Sequence, residues 1–152
     1  TEKSQRRKIK NAGFPYIKTI NDLDTGRFEH ISDPFIKELV SCDFIKKRQN
    51  IVMIGNPGTG KTHLSIALGI KACMQGINVK FYTAANLANE LIEAQEYKKL
   101  IRLEKQIIKA ELLIIDELCK ALHNSSYGKS FIMQSWNQKS LYSNTMFVFN
   151  FT

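Results

Sequence analysis

The sequence predicts an α/β fold of three layers, a parallel sheet covered by helices on both faces. Two observations carry this. Short apolar runs at 51–54, 78–82, 112–115 and 145–149 alternate with stretches of helical periodicity. A glycine-rich segment joins the first of those runs to the helix after it. Size agrees: 152 residues, 43% hydrophobic and 24% charged, suffice for one domain with its own core.

Composition narrows the classes. No apolar run approaches the ~18 residues of a membrane span, and the charged N-terminus lacks the apolar region of a secretory signal. Cys42, Cys73 and Cys119 are odd in number and form no CxxC, which argues against a disulfide framework or a zinc site. A reducing cytoplasmic setting is the expectation. Twenty-two Lys and Arg against 14 Asp and Glu give a net +8. With a pI near 9.4, this points weakly to a polyanionic partner.

Residues 1–18 hold six cations against the single acid Glu2, a net +5, before Phe14-Pro15-Tyr16 stops any helix begun there. Residues 19–33 read as loop or short turns. The first 33 residues are therefore taken as a basic segment and loop, and 34–152 as the folded domain. Asp33-Pro34 reads as a helix start, with Asp as N-cap, and the helix runs to about Lys47. Its apolar side is either Phe35, Leu39, Cys42 and Ile45 or Ile36, Val40 and Phe44. The run 51–54 reads as a buried parallel strand. A helix from Lys61 to about Gln75 closes at Gly76. Strand 78–82 follows, then helix over 85–109 with a candidate break near Glu96, then buried strand 112–115. Residues 120–130 read as polar loop, 131–139 as candidate helix and 145–149 as a fourth strand.

Gly55-Asn56-Pro57-Gly58-Thr59-Gly60-Lys61-Thr62 fits G-x-x-x-x-G-K-[ST] at every specified position. Glycines let successive N–H groups converge on phosphate oxygens, and the helix that follows adds its positive end. Lys61 would reach the β- and γ-phosphates of ATP, and the Thr62 hydroxyl would ligate Mg²⁺. His63 lies next to the nucleotide segment, with a packed or solvated histidine as the competing reading.

Four aliphatics at 112–115 end in Asp116-Glu117. In phosphate-loop ATPases a buried strand carries such an Asp to its tip beside Mg²⁺. Asp116 would hold the metal through its water shell, and Glu117 would orient and deprotonate the attacking water. An Asp-Glu pair fits ATP hydrolysis for mechanical or assembly work better than a nucleotide kinase. A catalytic Glu needs a polar partner on a neighbouring strand: Asn150 is the first candidate and Asn144 the second.

Read together, Ala12-Gly13-Phe14-Pro15, Lys18-Thr19, Phe44-Ile45, the loop Gly55 to Thr62 extended by His63-Leu64, Ala67-Leu68-Gly69 and the LLIIDEL of 112–118 resemble the IstB-like ATP-binding proteins. These are helper ATPases of bacterial insertion sequences, AAA+ proteins related to the DnaC/DnaI helicase loaders. The resemblance covers about residues 5–118. It implies an AAA+ P-loop NTPase core that binds ATP between subunits, forms homo-oligomers on DNA and presents DNA to a transposase. In the helicase-loader alternative, the partner is a replicative helicase during DNA replication. Matching by position, Gly55, Asn56, Pro57, Gly58, Thr59, Gly60, Lys61, Thr62 and His63 form the nucleotide site. Thr62 and Asp116 bind the metal, Glu117 and Asn150 are catalytic, and Arg6, Arg7, Lys8 and Lys10 contact DNA.

The pattern fades after Leu118. Cys119-Lys120-Ala121 replaces the family's Gly-Tyr, only Leu122-His123 and Gln138 to Leu141 are similar to it, and 124–136 departs from it. Divergence and a shifted frame are the two explanations. The family's fifth strand, helical lid and arginine fingers lie past the fourth strand. The expectation is thus a core truncated before them, an ATPase slow or silent alone, with a non-catalytic nucleotide-binding remnant as a further alternative.

Overall fold

The computed structural model of the chain describes residues 1–94 and 96–118, and residues 146–151 as backbone. The expected helix 131–139, the loop 120–130, Cys119, Asn144 and the departures from family pattern after Leu118 lie outside the described residues.

The N-terminal segment forms α1 (Glu2–Ala12), which ends on Gly13 at φ +82°. Two 3₁₀ turns, Ile20–Asp22 and Thr25–Arg27, fill the expected loop. The helix expected from Asp33 to Lys47 is instead two: α2 (Asp33–Val40), N-capped by Ser32, and α3 (Asp43–Lys46). The break has a local cause. The Ser41 hydroxyl donates to Glu38 O at 2.7 Å and accepts from Asp43 N at 3.3 Å, and Cys42 adopts φ +60°. Both expected apolar sets pack inward except at Phe35: Leu39, Cys42 and Ile45 of the first and Ile36 and Phe44 of the second are buried, with Val40 half-buried, while Phe35 is exposed.

The remaining described elements are β1 (Ile51–Ile54), α4 (Lys61–Met74), β2 (Val79–Thr83), α5 (Ala84–Glu93), α6 (Tyr97–Lys109), β3 (Leu112–Asp116) and β4 (Met146–Phe151). Gly76, at φ +86°, lies just past α4, and Glu96 caps α6 at the expected break. The strand pairings among the described residues are all parallel, in the order β1-β4-β3-β2. Among the described residues no helix is long and apolar enough to cross a membrane.

Strand β3 is buried on both faces, and its side chains alternate between two cores. Leu112 and Ile114 join the cluster under α1, α3 and α4, with Phe81, Ile66 and Ile70. Leu113 and Ile115 join the cluster under α5 and α6, with Leu87, Leu103 and Ile107. Strand β1 departs from expectation. Ile51 and Met53 pack inward, but Val52 and Ile54 are 51% and 81% exposed. Helices α5 and α6 pack over β2 and β3, so an all-apolar run did not distinguish one covered face from two.

Helix α4 seats closely because residue 69 is glycine. A β-carbon there would lie 2.7 and 2.8 Å from two carbons of the Phe14 ring and 2.9 Å from Ile114 Cδ1. Gly69→Ala raises helix propensity by about 1 kcal/mol but overpacks at a cost of about 1–3 kcal/mol. We expect a net loss of about 1 kcal/mol, lowering the Tm by roughly 2–4 °C. Calorimetric unfolding checks this, and a raised Tm would mean that Phe14 yields freely.

Candidate nucleotide site

The loop from Gly55 to Gly60 runs from the C-terminal end of β1 into α4. Gly60 sits at φ +91° with Phe28 Cζ only 3.3 Å from where a β-carbon would be, so both backbone conformation and space require glycine there. Lys61 as a residue is 8% exposed, and its ammonium folds back over the loop. It donates to Gly55 O at 2.8 Å, Asn56 O at 2.6 Å and Thr59 Oγ1 at 3.1 Å, while the Thr59 hydroxyl donates to Asn56 O at 2.9 Å. Burial lowers the Lys61 pKa from its ordinary value, and the Asp116 carboxylate opposes that shift. One turn on, buried Ser65 is satisfied by donating to Lys61 O at 3.0 Å.

The two acidic-motif residues meet this loop. Asp116, at the end of β3 and 4% exposed, accepts from the Thr62 hydroxyl at 3.0 Å across 54 residues of sequence. Its other oxygen accepts from Glu117 N at 3.0 Å. Glu117 adopts φ +56°, a strained backbone for a residue with a β-carbon, directly at the tip of the strand. Thr62 and Asp116 bring two hard oxygens within 3.0 Å of each other, the donor type that Mg²⁺ prefers. Among the described residues no cluster of three acidic, His or Cys side chains could hold a metal unaided. Such a pair suits a metal that arrives with phosphate oxygens of its own.

Asn150 lies in β4, in register with Met53 of β1, one residue beyond the Phe149 that pairs with Ile115. Its backbone therefore lies between β1 and β3 near Asp116, while its side chain is outside the description. His63 stacks edge-on against Tyr16, with ring centroids 5.5 Å apart and planes at 88°. Tyr16 belongs to the site's surroundings too: partial burial raises its pKa, and the nearby Asp116 charge adds to that rise. A cleft of about 790 Å³ adjoins the loop, between Arg27 to Ile31 on one side and β1 with Asn56, Thr59 and Lys61 on the other. Its size falls within the range of small-molecule sites, roughly 300–1,000 Å³.

The four basic residues expected to meet DNA separate on α1. Lys8 is half-buried and its ammonium donates to Asn78 Oδ1 at 2.5 Å. Arg6 pairs with Glu2 at 2.6 Å. Arg7 and Lys10 are exposed and make no ion pair among the described residues. Gln5 donates to Met74 O at 2.7 Å and Ala12 is buried, so α1 is docked on the core. A second cationic surface escaped the sequence reading. Lys98, Arg102, Lys105 and Lys109 on α6 are all exposed and recur at intervals of four, three and four. That spacing aligns them in one stripe, and it is readable from sequence once α6 is taken as a helix. No ion pair engages any of the four among the described residues.

Comparison with known proteins places this geometry. A family model described as IstB-like ATP binding protein matches residues 1–137. The ATP-binding protein of insertion sequence IS5376 from Geobacillus stearothermophilus is 38% identical over 110 residues, 72% of this chain and 44% of that protein. Its counterpart from insertion sequence IS21 of Pseudomonas aeruginosa is 33% identical over 117 residues, 77% of this chain and 44% of that protein. The chain thus spans under half the length of these relatives. Among solved structures, AMPPCP-bound DnaA from Aquifex aeolicus superposes with a TM-score of 0.71 at 20% identity, over 89% of this chain and 42% of that one. The DnaC helicase loader superposes with 0.64 at 18% identity, over 96% and 80%. At such identities the likeness shows the fold alone, an α/β architecture around a parallel sheet shared with these proteins.

Proposed function

The chain belongs to the family of IstB-like ATP binding proteins, and on that premise we propose that it binds ATP with Mg²⁺ and, within the whole protein, hydrolyses ATP while assembled on DNA. One observation carries the reading: the Thr62–Asp116 hydrogen bond of 3.0 Å, which brings the phosphate loop and the acidic strand tip into one site. In this reading the loop's N–H groups and the positive end of α4 receive the phosphates. Lys61 exchanges its carbonyl partners for β- and γ-phosphate oxygens. Thr62 and Asp116 would hold Mg²⁺, whose contribution would be to neutralise charge on the phosphates. Glu117 orients a water and takes its proton, and Asn150 is its polar partner. His63 borders the nucleotide segment.

DNA and a transposase are the proposed partners, supported by relatives that are named for insertion sequences. The stripe on α6, with Arg7 and Lys10 on α1, is the proposed phosphate-contacting surface. Each phosphate contact should steepen the dependence of log K on log salt by about 0.9 for duplex DNA. Anisotropy titrations of a duplex and a matched single strand from 50 to 200 mM salt (conditions on the order of those that resolve such slopes) test it. Replacing all four stripe cations with Gln should flatten the duplex slope by about 2–4. An unchanged slope would remove α6 from the interface. Preference for the single strand would favour the helicase-loader alternative.

A further inference from the structure

Past α1 the chain lays three aromatic rings along α4: Phe14 on Gly69, Tyr16 on His63 and Phe28 on Gly60. Two of these contacts have plain structural reasons. Phe14 packs with Phe81 at a centroid distance of 5.9 Å against the core cluster, and Phe28 closes the turn at Gly60. Tyr16 differs, since it is 39% exposed and belongs to none of the core clusters. Its contact is with His63, the residue directly after Thr62, in the first turn of α4. Leu64, the next residue and about 100° further round the helix, is buried, so the rotation of the turn is set by Leu64 in the core and by half-buried His63 against Tyr16.

We propose that Tyr16 is a positioning residue for the metal pair. Through its edge-to-face contact with His63, it fixes the first turn of α4 so that the Thr62 hydroxyl faces Asp116. The proposal rests on the ATP·Mg²⁺ reading above and deepens it. It also gives the segment after α1 a direct effect on the nucleotide site. The ring, not the phenol oxygen, carries the contact, so phenylalanine should replace tyrosine and alanine should not.

The test is the affinity of the 152-residue chain for ATP with Mg²⁺ and with EDTA. In Tyr16→Ala the gain conferred by Mg²⁺ should shrink about two- to tenfold, the range an edge-to-face pair supports, with affinity in EDTA kept and the Tm lowered by only the few degrees that loss of one such pair costs. Tyr16→Phe should restore the wild-type gain. His63→Ala should shrink the Mg²⁺ gain as Tyr16→Ala does, whatever its affinity in EDTA, and the double variant should lose no more of that gain than either single one. Phe14→Leu should lower the Tm and leave the gain unchanged. A wild-type gain in Tyr16→Ala, or additive losses in the double variant, would overturn the proposal alone. A wild-type chain that fails to bind ATP would overturn the nucleotide reading and this inference with it.

Discussion

Lys61→Ala is expected to weaken ATP·Mg²⁺ binding by at least about a hundredfold. Lys61 as a residue is buried, and its ammonium already makes three hydrogen bonds to oxygens of its own loop. Phosphate oxygens entering that loop offer it stronger, charge-assisted partners, each worth about 1.5–3 kcal/mol. Two such bonds lost amount to about 3 kcal/mol or more, and every 1.4 kcal/mol is about tenfold in affinity. Burial sharpens the effect, because little solvent screens the charge. The same substitution removes the ties to Gly55 and Asn56, so the loop's shape is also at stake. Calorimetric titration, with the Tm of the variant beside it, separates a lost ligand from a lost fold. Equal affinity for wild type and variant would sink the assignment.

Glu117→Gln is expected to spare ATP binding and to cut hydrolysis by about 10²–10⁴-fold, the contribution of a positioned general base. Glu117 stands one residue past Asp116 in a left-handed backbone conformation that side chains seldom adopt. Its N–H is fixed on Asp116 Oδ1 at 3.0 Å. Strain held at a strand tip beside a metal pair fits a residue placed for chemistry, where folding alone gives no reason for it. Glutamine keeps the shape and loses the ability to take a proton. Single-turnover hydrolysis with DNA present reads the effect. A variant that turns over like wild type would move the base elsewhere.

Much of this site could be read from residues alone, for physical reasons. Gly55 to Thr62 has its chemistry in consecutive positions, and four aliphatics ending in Asp116 announce a buried strand tip. Gly76 and Glu96 mark helix boundaries through local backbone preference, which a linear reading detects. The break at Ser41-Cys42 has no glycine or proline to mark it and depends on one hydroxyl choosing its own backbone. The single covered face of β1 depends on where α5 and α6 come to rest, a tertiary fact. Tyr16 on His63 and Phe28 on Gly60 join positions tens of residues apart, with no periodicity to signal them. The fate of Lys8, spent on Asn78, is of the same kind. The α6 stripe is the opposite case, since its four-three-four spacing is visible in the sequence, although the densest positive charge lies in the first 18 residues.

The most direct test of the central claim is a crystal structure of the chain with a non-hydrolysable ATP analogue and Mg²⁺. The phosphates should lie in the Gly55–Thr62 loop, with Lys61 Nζ moved from the Gly55 and Asn56 carbonyls to phosphate oxygens. The Thr62 hydroxyl should be on the metal, with Asp116 beside it. Phosphates bound elsewhere, or Lys61 still held by those two carbonyls with the analogue present, would contradict the account.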